Sequence, residues 1–185
     1  MPSAPPPEEM LTTMKCAAAA LRDAGIPFAV GGGFAVWARG GPTSEHDVDF
    51  MIREQDASRA LEVLADAGMR TERPPEGWLV KAYDGDVLVD LIYSPSGVDV
   101  DDALLAHCEE FNVHGMPMPV LGADVVLVSK LLALTEHHLD FEGLLAMARA
   151  VREQVDWDAV REQTASSPYA RGFLALAAEL GIIPE

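Results

Sequence analysis

The sequence predicts an α/β domain that ends in a helical region, and three observations carry that prediction. Apolar runs of strand length alternate with helix-period segments along the first part of the chain, up to about Leu121. Two of those runs flank an Asp-Gly pair, Asp84-Gly85, which is a strong hairpin signal. From Ala123 onward the pattern is helical throughout.

The opening stretch MPSAPPPEE, residues 1–9, is rich in proline and acidic side chains and is expected to stay disordered or to form a short extended arm. From Met10 to Ala24, apolar residues recur at helical spacing (Met10, Leu11, Met14, Ala17, Ala18, Leu21), with Gly25 as the stop. IPFAVGGG then reads as a strand entering a turn, Phe34 to Arg39 as a short helix, HDVDFMI as a strand, and Asp56 to Ala67 as a helix closed by Gly68. GWLVKAY and VLVDLIY form the hairpin around DGD. A short helix near Asp101 to His107 follows, and FNVHGMPMPVL supplies candidate edge strands. The final helices are expected over about Ala123 to Glu136, Phe141 to Glu153, Trp157 to Thr164 and Pro168 to Leu180, the last with proline at its start. Residues 10–121 are thus expected to form one domain, with 122–185 a helical region packed on it.

A chain of 185 residues is long enough to bury a real core. Its 30 acidic and 13 basic side chains leave a net charge of -17, a field that repels polyanions and disfavours nucleic acid as a partner. Cationic or small substrates suit it better, although the same acidity also serves solubility. Cys16 and Cys108 are too few and too far apart for a disulfide framework or a thiolate metal site. Nothing at the N-terminus reads as a signal peptide, so the expected location is cytoplasmic. No apolar run approaches the roughly 20 residues of a membrane span, VVLVSKLLAL being short and interrupted by Lys130.

The feature that asks for chemistry is DVDFMI. Residues two apart on a strand point to the same side, so Asp47 and Asp49 project together while Val48, Phe50 and Ile52 turn to the core. Two carboxylates on a half-buried surface repel each other and lose hydration unless something positive lies between them. Oxygen-only donors suit a hard divalent cation, Mg²⁺ or Mn²⁺, which takes its remaining ligands from water and substrate phosphates. Asp90, alone within the apolar run VLVDLIY, is the candidate third carboxylate. Were its strand beside that of Asp47, the three could hold two ions about 3.5 to 4 Å apart. Gly31, Gly32 and Gly33, at a turn into a helix, let backbone N–H groups approach phosphate oxygens closely.

In this order the residues resemble the polymerase-β-type nucleotidyltransferase superfamily, whose motifs are a Gly-Gly or Gly-Ser opening a helix, an acidic-x-acidic pair further on, and a third carboxylate on a following strand. Here these fall on Gly31 and Gly32, on Asp47 and Asp49, and on Asp90, over roughly Phe28 to Tyr93. ARGGPTSEHDVDF is further similar to the neighbourhood of the aspartate pair in small antibiotic-modifying and abortive-infection-type members. The resemblance implies a small mixed β-sheet flanked by helices. It implies transfer of a nucleoside monophosphate from an NTP, ATP included, to a hydroxyl, with release of pyrophosphate. Asp47, Asp49 and Asp90 would bind the metals, and Asp90 would also act as base toward the acceptor hydroxyl.

Other residues carry open alternatives. Arg39 and Thr43 could contact phosphate, or Arg39 could complement a helix C-terminus. Lys130 could snorkel from a helix face, or it could approach the phosphates, as the Lys-Leu pair of small family members does. His137, His138 and Asp140 in TEHHLDFE lack the spacing of a zinc helix and read as a helix–helix corner. His46 could orient substrate or pair with Glu45. Trp78, Tyr83 and Tyr93 read equally as core or pocket aromatics. The leading expectation is a metal-dependent enzyme acting on a small hydroxylated acceptor, with a cationic, aminoglycoside-like one suited to the acidic surface. The alternatives are a toxin- or antitoxin-type nucleotidyltransferase acting on tRNA or a partner protein, and a silent nucleotide-binding module that could form a homodimer through its tail.

Overall fold

The computed structural model describes residues 6–43 and 47–184. Its elements follow in the order α1 (Glu8–Asp23), β1 (Phe28–Val30), α2 (Gly32–Ala38), β2 (Asp47–Ile52), α3 (Ala57–Asp66), β3 (Arg70–Glu72), β4 (Leu79–Asp84) and β5 (Val87–Ile92). They continue with α4 (Asp102–Ala106), β6 (Glu109–Val113), β7 (Met116–Val120), α5 (Ala123–Leu132), α6 (Phe141–Val151), α7 (Trp157–Thr164) and α8 (Pro168–Glu179). The strands form one mixed sheet in the order β3-β4-β5-β2-β1-β7-β6, so the expected α/β architecture with a helical tail is borne out. Hairpin partners run antiparallel, whereas β2 pairs with β5, and β1 with β7, in parallel.

Strand β2 is central because its alternation serves two masters. Val48, Phe50 and Ile52 are wholly buried, and Phe50 meets Phe28 edge-to-face at 5.3 Å. Helix α1 covers this face: Thr13 donates from its hydroxyl to Asp84 at 2.8 Å, and Asp84 points away from the side that Lys81 occupies on β4. Helices α2 and α5 pack together elsewhere. Each large apolar side chain removed from water contributes about 1.5 to 3 kcal/mol.

Three differences from the expected elements have physical causes. Strand β3 was not anticipated: RTE is polar and mostly exposed because it forms one edge of the sheet. Strand β7 is an interior strand, not the expected edge, and β6 forms the edge opposite β3. Leu121 N–H bonds to Val30 C=O at 2.9 Å, and the residues at the same alternation, Pro117 and Pro119, lack an N–H, so pairing with β1 begins only at Val120. Helix α5 ends at Leu132 instead of Glu136, because Thr135 and His138 exchange backbone hydrogen bonds of 3.3 and 3.0 Å. The first helix opens at Glu8, ahead of the expected Met10, and residues 1–5 lie outside the described residues. Among the described residues, no helix is long and apolar enough to cross a membrane.

Candidate active site

The parallel pairing of β2 with β5 sets Asp49 directly opposite Asp90, and Asp47 opposite Leu88. Since Asp47 and Asp49 share a face, all three carboxylates converge, with ligand oxygens within 4.8 Å of one another. Asp90 is only 7% exposed. Across the hairpin, Lys81 stands opposite Asp90, and its Nζ lies 3.2 Å from Asp90 Oδ1. That contact is an ion pair, and it is the partner of an Asp90 Oδ1 that is buried from solvent.

The electrostatics record the strain of this arrangement. Burial, and then the charge of Asp47, push Asp49 up to about 7, with Lys130 and Lys81 pulling the other way and Asp90 adding to the rise. Burial also raises Asp90 despite the opposing Lys81. For Lys81 itself, burial works against the charged form, yet the neighbouring Asp90 outweighs it and the amine is raised. Three converging carboxylates, mutually repelling and partly buried, are an oxygen-only donor set that fits a hard divalent cation.

The glycine turn abuts this cluster. Gly31 precedes α2 and donates its N–H to Asp49 C=O at 2.8 Å. Its amide is therefore committed to the sheet. Gly32 adopts φ +48, and a Cβ there would overlap the Asp49 carboxylate. Only glycine permits this approach.

A cavity of about 660 Å³ opens over these groups, lined by Gly32, Gly33, Thr43, Asp47, Asp49, Asp90 and Lys130 among others. Of the two roles the sequence left open for Arg39, its contacts in the structure are those of the helix end. Its guanidinium donates to Leu121 C=O at 3.0 Å and Val120 C=O at 3.4 Å, pairs with Glu109 at 2.8 Å, and lies 4.7 Å over the Phe111 ring. It clamps the C-terminal end of α2 to β7 and β6, and it is not among the residues lining the cavity. His137 sits beside Glu136 at 3.0 Å in the exposed corner, where Asp140 caps α6 by accepting from Gly143 N–H at 3.0 Å. His46 and Glu45 lie outside the described residues. Tyr93 is buried and Tyr83 stacks under Arg70 at 3.8 Å, whereas Trp78 lines the cavity. Lys81 was missed by sequence reasoning, although a lone lysine in an apolar hairpin strand was a signal equal to that of Asp90.

A family model described as "Nucleotidyl transferase of unknown function (DUF2204)" matches residues 10–171. The solution structure of the antibiotic-resistance factor ANT(2'')-Ia is similar to this chain with a TM-score of 0.64 at 17% identity, over 94% of this chain and 98% of that one. The crystal structure of ANT(2'')-Ia in complex with adenylyl-2''-tobramycin gives 0.62 at 18% identity, over 92% and 99%. The lincosamide antibiotic adenylyltransferase LnuA, lincomycin-bound, gives 0.52 at 16% identity, over 76% and 98%. These likenesses are of fold. No curated protein matches the chain.

Proposed function

The chain belongs to the DUF2204 family of nucleotidyl transferases, and from that membership we propose that it transfers a nucleoside monophosphate from an NTP to a hydroxyl of a small-molecule acceptor, releasing pyrophosphate. The observation that carries the reading is the register that sets Asp49 opposite Asp90, with Asp47 completing a cluster within 4.8 Å beside a glycine turn. On this reading residues 10–121 form the catalytic domain and 122–185 a helical region that contributes Lys130 to the cavity.

Asp47, Asp49 and Asp90 would hold Mg²⁺ or Mn²⁺. When bound, the metal supplies positive charge against the phosphoryl oxygens and orients them for displacement. The N–H groups of Gly32 and Gly33, with Lys130 and Thr43, would hold the β- and γ-phosphates. Asp90 takes the acceptor's proton at Oδ2, because Oδ1 faces Lys81. As that proton moves, the acceptor oxygen bonds to the α-phosphorus, the bond from that phosphorus to the bridging oxygen breaks, and pyrophosphate leaves with its electron pair. ATP is the first NTP to try, since the similar structures include adenylyltransferases. The net charge of -17 favours drawing a cationic acceptor from solution. Supply of NTP fits a cytoplasmic setting.

The test is metal-dependent NTP binding followed by acceptor-dependent pyrophosphate release, with Asp47→Ala, Asp49→Ala as the blank. NTP-induced thermal stabilisation that needs Mg²⁺ or Mn²⁺ and disappears in the double variant is the expected result. Stabilisation that survives in the double variant would overturn the assignment.

A further inference from the structure

The order of strands across the sheet separates the two sides of the cavity. Since β1 lies across β2 from β5, and Gly31 N–H reaches Asp49 C=O, the glycine turn flanks the carboxylates from the β1 side, with Gly31 against the Met51 side chain and Gly32 against Asp49. Along the same face, Asp49 and Asp90 are followed by Met51 and Ile92, which are paired with each other and line the cavity, Ile92 being on the strand farther from β1. Residues two apart on a strand are separated by about 7 Å. One further step on, Trp78 C=O accepts from the N–H groups of Tyr93 and Ser94, both at 3.1 Å, and the Trp78 side chain is 40% exposed at the cavity wall. The carboxylates therefore stand between a glycine turn and an apolar floor that ends in an indole.

Displacement at phosphorus brings the attacking oxygen in opposite the leaving one. Pyrophosphate over Gly32 and Gly33 puts the attacking hydroxyl on the far side of the carboxylates from β1, toward Ile92 of β5 and Trp78. Charge narrows what can lie there. Outside the aspartate triad, Asp140 is the single carboxylate among the described residues lining the cavity, and one of its oxygens already caps α6. Among the described residues, a polycation thus finds no set of anionic partners on this floor beyond the triad.

We propose that Ile92 and Trp78, on the side of the carboxylates away from β1, form the acceptor subsite, and that the acceptor is a compact hydroxylated molecule with an apolar face and no more than one positive charge. This rests on the nucleotidyl-transfer reading above and narrows its acceptor from a general cation to an amphipathic one.

The experiment compares acceptors in pyrophosphate release from Mg-ATP: tobramycin as a polycation, lincomycin as a singly charged molecule with an alkyl-bearing ring, and neutral aryl glycosides. It uses wild type, Trp78→Phe and Trp78→Ala. Release with the singly charged or neutral compounds in preference to tobramycin is expected. Trp78→Ala should raise the acceptor KM about tenfold or more, Trp78→Phe should restore most of it, and ATP-induced thermal stabilisation should be the same in all three proteins. Preference for tobramycin overturns the proposal, as does release with none of the compounds while ATP binding is intact. A Trp78→Ala effect on ATP affinity overturns it as well, because the floor would then hold the nucleobase. Loss of metal-dependent ATP binding in wild type would instead sink the nucleotidyl-transfer reading itself.

Discussion

Asp49 shows how far a single residue can be set against folding for the sake of a site. Its carboxyl is raised from 3.8 to about 7 by burial, with Asp47 and Asp90 adding to the rise. In the folded protein it therefore holds its proton at pH values where the unfolded chain has lost it. The stability this group contributes is complete below about 3.8, declines as pH rises, and is gone once pH passes about 7. Asp49→Asn should accordingly stabilise the metal-free protein at pH 8 by roughly 2 to 4 kcal/mol, a gain of several degrees in Tm, and by much less at pH 5. Thermal melts in EDTA at the two pH values check this, and an equal gain at both would contradict it. Lys81 belongs to the same scale. A two-residue hairpin loop between Asp84 and Val87 makes Lys81 face Asp90 by counting alone, so this ion pair was legible in the sequence. Gly32 was legible as a glycine, but its contact with the Asp49 carboxylate depends on how β1 and β2 pair, and no local pattern states that.

At the scale of elements, α2 is a seven-residue helix that must be aimed accurately at the carboxylates. A helix this short has little stability of its own and depends on packing. Gly31 holds its start to β2, and Arg39 holds its end to β7 and β6. The Arg39 side chain is only 6% exposed, so its removal leaves the Leu121 carbonyl without that donor and opens space above Phe111. Arg39→Met should cost about 2 to 4 kcal/mol, visible as a lowered Tm, while the ATP affinity of the folded protein stays within about twofold, far short of the tenfold that each 1.4 kcal/mol of lost binding energy represents. A large loss of ATP affinity with unchanged Tm would return Arg39 to the phosphate-binding role that its place in the sequence suggested. The element pattern itself was largely readable: the hairpin from its Asp-Gly turn, α7 from its period and α8 from its N-terminal proline. Strand β3 was not, because an edge strand has too little buried surface to leave an apolar alternation.

For the molecule as a whole, a net charge of -17 surrounds a site that must admit a polyphosphate. Lys81 and Lys130 are local exceptions to a repulsive field. Raising ionic strength from about 0.01 M to about 0.15 M shortens the screening length from roughly 30 to 8 Å. The rate of Mg-ATP association should then rise, measured by stopped-flow binding, whereas a fall would mean that the lysines dominate the approach. By itself the sequence determined the α/β domain and its helical tail, the carboxylates that share a face of β2, and the family to which the chain belongs, because alternation, turn chemistry and motif order are local properties written in neighbouring residues. Only the tertiary structure decided that β5 lies beside β2 so that Asp90 faces Asp49, that Arg39 is a clamp, and that an apolar floor runs from the carboxylates to Trp78. Those relations join residues far apart in the chain, and they are set by which strands pair and which faces the helices cover.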